Sequence, residues 1–424
     1  MVGSWAKLGA MRDTDLYRQV LGLQSPWTVS RVELGVKEGR VDIWAEHTES
    51  SWECPACKRK LAIYDHSEER SWRHLDTCQF KTYLHARIPR VQCEEHGVRQ
   101  IEVPWAEARS RFTALFERLA IDVLKVTDVK SAGGILGISW DEARHVMERA
   151  VRRGLLRKEK RVVPHIGVDE KSIKKRHNYM TLVCDIDRAT VEYVAEDRKV
   201  SSLDGYFEQL SAEQLNGIQS ISMDMHDAYF ISANHHVPDA ARKIVFDRFH
   251  IFAYMGKAVD QVRRREHKEL RVDGTSELTG SRFLWLYGKE NVPEQDQLRF
   301  RELKALNLKT GRAWAIKESL RELWSYRSET WARRFFKEWY RWATHSRLRP
   351  VIEVARMLKR RLENVMTYFR HRVTNAVLEG LNSKIQTVKK RAYGFRNKES
   401  FKTAILFHCG GLDLYPRRFT HGEA

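Results

Sequence analysis

A chain of 424 residues with 42% hydrophobic residues carries enough apolar material for two or more domains with real cores, which excludes wholesale disorder. Its 75 lysines and arginines against 56 acidic residues leave a formal charge of +19, an excess that points to a polyanion such as nucleic acid. No apolar run approaches the roughly 18 to 20 residues needed to span a bilayer, and MVGSWAKLGAMRDTD lacks the apolar core of a secretory signal, so the chain reads as cytoplasmic with no membrane partner.

Residues 1 to 50 hold no chemical signature. TVSRVEL and GRVDIWAEH, parted by GVKEG, predict two strands of a hairpin, in a β-rich segment that pads the zinc-knuckle unit after it. That unit, residues 51 to 104, contains Cys54-Pro-Ala-Cys57 and, after a strand-like TYLHARIPRV, Cys93-Glu-Glu-His96. Six cysteines with one CxxC pair and no signal favour metal binding in a reducing compartment over disulfides. Zinc takes four soft or borderline ligands in a tetrahedron, and a two-residue gap lets a tight knuckle turn both its ligands onto one ion. Cys54, Cys57, Cys93 and His96 are the expected ligands of a structural Zn²⁺, with Cys78 and His74 as rivals.

From Phe112 the pattern turns helical, with Leu115, Phe116, Leu119, Val123 and Leu124 as its apolar stripe. DVKSAGGILGISWDEARHVMERAVRRG then predicts a helix, a turn at Gly137 and a second helix whose start is marked by a capping box of Ser139 and Glu142. A helix-turn-helix over residues 108 to 160 fits this, as does a plain helical hairpin used for packing. Its second helix buries Ala143, Val146, Met147 and Ala150. Asp141, Arg144, His145 and Arg149 face outward, where a recognition helix needs hydrogen-bonding groups, and Arg144, His145 and Arg149 are the expected DNA contacts.

Short β segments fill residues 161 to 255. HIGVDE, YMTLVCDI and ATVEYVAE predict three strands, a helix starts near Ser202, and IQSISMD and ARKIVFD predict two more strands ending at Asp224 and Asp247. This order, with Asp169 on the first strand and Asp224 ending the fourth, resembles the RNase H-like fold of polynucleotidyl transferases. No β pattern returns between 256 and 372, a charged helical insertion whose Trp314, Trp324, Trp331, Trp339 and Trp342 read as core at helical spacing.

The last stretch, NAVLEGLNSKIQTVKKRAYGFRN, is a helix with Val377, Leu381, Ile385 and Val388 on one stripe and Glu379 off it. Residues 351 to 400 hold 12 lysines and arginines against 4 acidic residues, a local excess of +8. Glu379 is thus one carboxylate in a basic field, either a metal ligand beside a phosphate or a solvated helix residue. Lys384, Lys389, Lys390, Arg391 and Arg396 are the expected phosphate contacts.

The knuckles, the helix-turn-helix, GVDE, SMDMHDAY, VFDRFH and NAVLEGLNSKIQTVKKRAYGFRN together resemble bacterial insertion-sequence transposases of the ISL-three family, over nearly the whole chain after residue 50. The second knuckle departs from the family pattern, which usually offers a second CxxC. The resemblance implies that Asp169, Asp224 and Glu379 form a DDE triad holding catalytic Mg²⁺ or Mn²⁺, with Asp247, Arg248 and His250 as active-site support. The fold class expected is multidomain α+β: a small zinc-binding β unit, a helix-turn-helix domain, and an RNase H-like α/β catalytic core with a large helical insertion that closes through residues 373 to 424. The function expected is a transposase that binds its element's terminal inverted repeats, cleaves and joins DNA, with double-stranded DNA as partner, a homo-oligomer in the synaptic complex, and a nucleoid-associated location. A transposase-derived DNA-binding regulator without catalysis and a structure-selective nuclease are the competing readings.

Overall fold

The apolar–polar alternation of TVSRVEL and GRVDIWAEH produces the hairpin expected from it. In the computed structural model, which describes residues 11–174, 178–372 and 376–417, a helix α1 (Asp13–Val20) leads into β1 (Trp27–Gly35), paired antiparallel with β2 (Arg40–His47). Further strands are β3 (Ser51–Glu53), β4 (Lys60–Arg73), β5 (Lys81–Cys93) and β6 (Gly97–Gln100), and the sheet runs β1-β2-β5-β4-β3 with β6 on β5. β2 pairs parallel with β5, Ile43 opposite Leu84. The expected boundary at residue 50 therefore falls inside one sheet. The reason is a shared core: Val41, Ile43 and Ala45 pack with Leu84, Ala86 and Ile88 around Trp105, which meets Trp27 and Trp72 edge-on at 4.7 and 5.5 Å.

Three helices come next: α2 (Ala114–Val126), α3 (Val129–Leu136) and α4 (Trp140–Arg157). Thr113 caps α2 by accepting from Phe116 N–H. The buried face of α2 is Phe116, Glu117, Ala120, Ile121 and Leu124, while Leu119 stays 44% exposed, so the expected stripe is rotated. What turns it is Glu117. Its carboxylate lies between Arg149 (2.7 Å) and Arg153 (2.9 Å) of α4 and accepts from Ser110 Oγ (2.6 Å). Arg153 also holds Glu107 at 2.6 Å and the carbonyl of Leu414. Residues 412 to 417 thus belong with residues up to 158 in the first of two structural units and not with the catalytic part, to which the chain end was expected to belong.

The second unit, residues 159 to 411, is built on β7 (His165–Lys174), β8 (Asn178–Asp185), β9 (Thr190–Glu196), β10 (Ser220–Met223) and β11 (Ile244–Phe246). Sheet order is β11-β10-β7-β8-β9; the pairs β7–β8 and β8–β9 are antiparallel, β7–β10 and β10–β11 parallel. Between strands lie α5 (Val200–Phe207), α6 (Ala212–Gly217), α7 (Asp227–His236) and α8 (Ala240–Lys243), the crossovers that parallel neighbours require. After β11 comes α9 (Arg248–Val272), followed by α10 (Arg282–Leu286), α11 (Gln297–Ala305), α12 (Lys309–Arg321), α13 (Glu329–His345), α14 (Arg349–Arg360), α15 (Leu362–Met366) and α16 (Tyr368–His371).

These helices occupy the place of the expected helical insertion but begin before residue 256. They start at Arg248, and their apolar residues continue the sheet's own core without a break from Val163 to Met366. Trp314 and Trp339 are buried, the latter donating to Ile316 O at 2.9 Å, whereas Trp331 and Trp342 are exposed, against the expectation of core. The chain closes with α17 (Ala376–Arg391) and α18 (Lys398–Cys409). α17 buries Leu378, Leu381 and Ile385 and leaves Val377 and Val388 half-buried, one residue out of the expected phase; Asn375 and residues 418–424 lie outside the described residues.

The Glu117 cluster makes a stability prediction. Glu117→Ala leaves two arginines facing an empty centre, and removing one partner of a buried ion pair costs on the order of 3 to 5 kcal/mol. Thermal unfolding followed by circular dichroism should show an earlier first transition. An unchanged melting profile would mean that Arg149 and Arg153 are satisfied without Glu117.

Candidate active site and metal centres

Two knuckles converge at the β5 end of the first sheet. Lys58 N–H donates to Cys54 O to close the first, and β5 delivers Cys93 next to the turn that carries His96. The ligand atoms of Cys54, Cys57, Cys93 and His96 all lie within 4.8 Å of one another. Cys57 Sγ is 3.8 Å from Cys93 Sγ, and Cys93 Sγ is 3.5 Å from His96 Nδ1. A tetrahedron with Zn–S arms of about 2.3 Å and a Zn–N arm of about 2.0 Å has edges of about 3.8 and 3.5 Å, so the donor set and its spacing both fit zinc. The amides of Cys57 and Ala56 aim at the Cys54 sulfur and pull its thiol below the ordinary range, which favours the thiolate that a metal binds. The rivals are elsewhere. Cys78 is exposed, and His74 is buried against Thr113 Oγ1 (2.9 Å), its imidazole pushed down to about 4 by burial.

In the second unit, strand register sets the chemistry. Gly167 on β7 is opposite Ser222 on β10, and Ser222 is opposite Val245 on β11. Two residues further along stand Asp169, in the middle of β7, and Asp224 and Asp247, each one residue past the end of β10 and β11, so the three aspartates share one level at the carboxyl ends of β10 and β11. That is where open α/β sheets place their ligands. Ligand atoms of Asp169, Asp224 and His250 lie within 4.8 Å of one another. His250, one turn into α9, sets Nε2 at 2.7 Å from Asp224 and 3.7 Å from Asp247. Asp247 itself caps α9, accepting from Phe249 N–H at 2.9 Å.

The electrostatics are those of crowded carboxylates. Burial raises the Asp224 carboxyl above the usual range, with Asp169 and Asp247 adding to the rise and the His250 hydrogen bond opposing it. Burial works against the His250 imidazolium, yet its hydrogen bond to Asp224 and the charges of Asp224, Asp247 and Asp169 carry it above an ordinary histidine. Oxygen donors that repel one another and draw a cation fit a hard divalent ion.

α17 is laid directly on this strand. A Cβ on Gly167 would come within 2.5 Å of the Leu378 side chain, so only glycine lets the helix approach so closely. Asn382 donates its side-chain amide to Asp169, Lys171 Nζ donates to Asn382 O at 3.0 Å, and Lys389 Nζ to Ser172 O at 2.9 Å. Asn382, Gly167 and Lys171 were not expected as site residues; the only sequence signal was that Asn382 follows Glu379 by three, on the same helix face. Glu379 is exposed one turn before Asn382 and shares the rim of a cavity of about 900 Å³ with Asp247 and Arg248. It is not among the side chains grouped with Asp169 and Asp224.

The helix-turn-helix has the expected turn. Gly137 takes a left-handed conformation (φ 64°), and Ser139 and Glu142 cap each other's backbone at the start of α4. Ala143, Val146, Met147 and Ala150 are buried as expected. Of the outward candidates, His145 is exposed, Arg144 lies along the helix against Glu148 and over Trp140, and Arg149 is turned inward to Glu117. Arg149 is thereby corrected from a surface contact to an internal ion pair, because Glu117 is the carboxylate that α2 presents to that face. Beside the turn, Arg70, Arg73, Arg109 and Arg111 line a cleft that reaches Gly137 and Ile138. In the C-terminal basic tract Lys384, Lys390, Arg391 and Arg396 are exposed, whereas Lys389 is committed to β7. Among the described residues no helix is long and apolar enough to cross a membrane.

Comparison with known proteins gives three matches in chain order. Residues 50–96 match the zinc-finger of transposases IS204/IS1001/IS1096/IS1165, residues 101–151 the helix-turn-helix domain of transposase family ISL3, and residues 166–405 the ISL3 transposase domain. The chain is 27% identical over 396 residues to the transposase for insertion sequence element IS1001 of Bordetella parapertussis, covering 92% of this chain and 97% of that protein. It is 26% identical over 448 residues to the transposase for insertion sequence element IS1557 of Mycobacterium tuberculosis, covering 97% and 99%. Since the transposase-domain match alone takes in more than half of the chain and comes after the zinc-finger and helix-turn-helix matches in order, the chain belongs to the ISL3 family of transposases.

Proposed function

We propose that this chain is a DDE-class DNA transposase that binds the terminal inverted repeats of its own insertion sequence and carries out metal-dependent cleavage and strand transfer on an RNase H-like core. The observation that carries this reading is the row of Asp169, Asp224 and Asp247 on adjacent parallel strands, with α17 packed across it through Gly167 and Asn382. The five-stranded sheet, three strands antiparallel and two parallel beyond the first, supports the RNase H-like assignment.

Asp169 and Asp224, with Glu379 from α17, would hold Mg²⁺ or Mn²⁺, which when bound supplies Lewis-acid polarisation and neutralises charge on the transferring phosphoryl group. Asn382 orients the Asp169 carboxylate, and His250 holds Asp224. Asp247 anchors α9 so that Arg248 projects at the cavity rim. In cleavage a water oxygen bonds to phosphorus as the bond from phosphorus to the 3′-oxygen breaks, leaving a 3′-hydroxyl and a 5′-phosphate. In strand transfer that 3′-hydroxyl oxygen bonds to phosphorus of a target phosphodiester as the bond from that phosphorus to its own 3′-oxygen breaks, joining the strands and leaving a 3′-hydroxyl on the target. The helix-turn-helix would read the element's ends, while Lys384, Lys390, Arg391 and Arg396 would grip phosphates without specifying sequence. A homo-oligomer would bring two ends together.

The catalytic test replaces charge without size. Asp169→Asn, Asp224→Asn and Glu379→Gln should each fold and bind end-containing DNA yet lose Mg²⁺-dependent nicking and joining by about a thousandfold or more, and double variants should be no worse than single ones, as for residues that act as one unit. Near wild-type cleavage by Glu379→Gln would move the third ligand to Asp247.

For the zinc site, the purified protein should carry about one Zn²⁺ per chain, and exchanging Cys54 and Cys57 together for alanine should release it and weaken end binding with the second unit still folded. Stoichiometric zinc retained by that variant in elemental analysis would remove the assignment.

End recognition separates two kinds of contact. His145→Ala should lower affinity for the element's ends more than for unrelated duplex, by about 1 to 3 kcal/mol if it meets a base edge, whereas Lys390→Ala should weaken both alike. Titrations at one salt concentration in which the two variants behave identically would count against α4 as the recognition helix.

A further inference from the structure

The cavity whose rim holds Glu379 and Asp247 is much longer than a scissile phosphate needs. Its floor begins at Ser222 and Val245, the register row beneath the aspartates, and its long wall is one face of α9, from Arg248 to Arg264 at steps of three and four. At about 1.5 Å per residue that wall runs for roughly 24 Å. The cavity along it holds about 900 Å³. A trough of this length, walled by one helix and lined with aromatic side chains, suits one extended strand of nucleic acid.

The lining has the chemistry of single-strand binding. Phe249 is 64% exposed at the end nearest the aspartates, and Trp324 and Tyr368 face the trough from other elements. Flat aromatic faces of this kind stack unpaired bases without regard to sequence. Among the described residues neither Arg248 nor Lys257 meets a carboxylate, which leaves both free for phosphate. The acid on the wall, Asp260, is already neutralised by Arg263 and Arg264, each at 2.8 Å, with Arg282 at 3.7 Å. Midway along, Gly256 has no side chain to fill the trough; a Cβ there would only touch Leu286 at 3.5 Å, and a longer side chain would project into the space.

We propose that this trough binds a short single-stranded stretch of DNA, the unpaired strand that adjoins the phosphodiester held at Asp169 and Asp224. The inference rests on the transposase reading for its substrate, but its binding step needs no divalent ion and no catalysis. The trough takes the strand by stacking on Phe249 and Trp324 and by phosphate contacts to Arg248 and Lys257, and so holds open a DNA end that base pairing would otherwise close.

The test uses the full chain in chelator, so that nothing is cut, with a fluorescein-labelled oligothymidylate of about 12 nucleotides and a duplex of equal length as probes at fixed salt. The double variant Phe249→Ala, Lys257→Ala and, independently, the filling variant Gly256→Leu should each weaken oligothymidylate binding at least about tenfold and leave duplex binding within about twofold. The same loss for both probes, or no loss in either variant, overturns the proposal, as does failure of the wild type to bind oligothymidylate. Photocrosslinking of the wild type to an oligonucleotide carrying 5-iododeoxyuridine gives a readout that needs no variant: adducts on peptides containing Trp324 or Tyr368 support the trough, and adducts confined to other peptides exclude it. If Asp224→Asn abolishes nicking while these binding results fail, the trough falls and the catalytic reading stands; if nicking survives Asp224→Asn, the catalytic reading falls on its own.

Discussion

Three carboxylates at one level across the parallel strands of a mixed sheet repel one another, and the groups packed around them answer that repulsion. Two unit charges about 5 Å apart at an effective dielectric near 20 repel by about 3 kcal/mol, a large share of the 5 to 15 kcal/mol by which a domain is stable. Burial adds to it: desolvation is the main reason that the Asp224 carboxyl lies above its usual range, with Asp169 and Asp247 contributing. The structure answers with donors: the His250 ring at 2.7 Å from Asp224, the Asn382 amide on Asp169, and the Phe249 backbone N–H on Asp247. Each donor comes from a helix that packs against the sheet through its own apolar face. A divalent cation held there would turn the same crowding from a cost into an attraction.

The constraint reaches the helices between 248 and 372. A helix that brings a carboxylate and an amide over β7 must return to the sheet after the chain has left it at β11, and α9 to α16 make that return through a core shared with the sheet. Shared packing fixes the first half of α9, since Ile251, Met255 and Val259 are buried in the core while Arg248, Phe249 and Lys257 line the cavity. The same amphipathic helix thus provides the wall of the cavity and the hydrophobic attachment that holds the wall in place. Gly167 completes the geometry from the other side, because any Cβ there would lift α17 and take Asn382 away from Asp169.

Local patterns are legible in the sequence and distant ones are not. The cluster of Cys54, Cys57, Cys93 and His96 can be read because two-residue gaps oblige a knuckle, and the capping box of Ser139 and Glu142 because both partners sit within four residues. The order of strands in the second unit is readable from alternation and turn residues, and with it the positions of Asp169, Asp224 and Asp247. Their common level is not, since it depends on the parallel register of strands 55 and 78 residues from Gly167. The phases of α2 and α17 differ from expectation for a related reason. An apolar stripe can be drawn through either helix in more than one way, and partners remote in sequence decide between them: Arg149 and Arg153 for Glu117, and Gly167 for Leu378. The first strands read as padding because nothing in them announces that β2 pairs with β5.

Net charge misleads in the same way unless each cation is traced to its partner. Several arginines that contribute to the +19 are spent inside the protein. Arg161 sits at 2.6 Å from buried Asp185 and 3.0 Å from Glu192, Arg153 joins Glu107 and Glu117, and Arg333 ties Glu329 to Glu363 across two helices. These pairs hold elements together and offer little to a phosphate. The cations left over are unevenly placed: Lys384 and Lys390 on the outer face of α17, Arg248 and Lys257 along the trough, and Arg109 and Arg111 beside the helix-turn-helix. The remaining cations thus fall into lines of charge and not a uniformly basic surface: in the first unit beside the turn at Gly137, in the second along α9 and on α17.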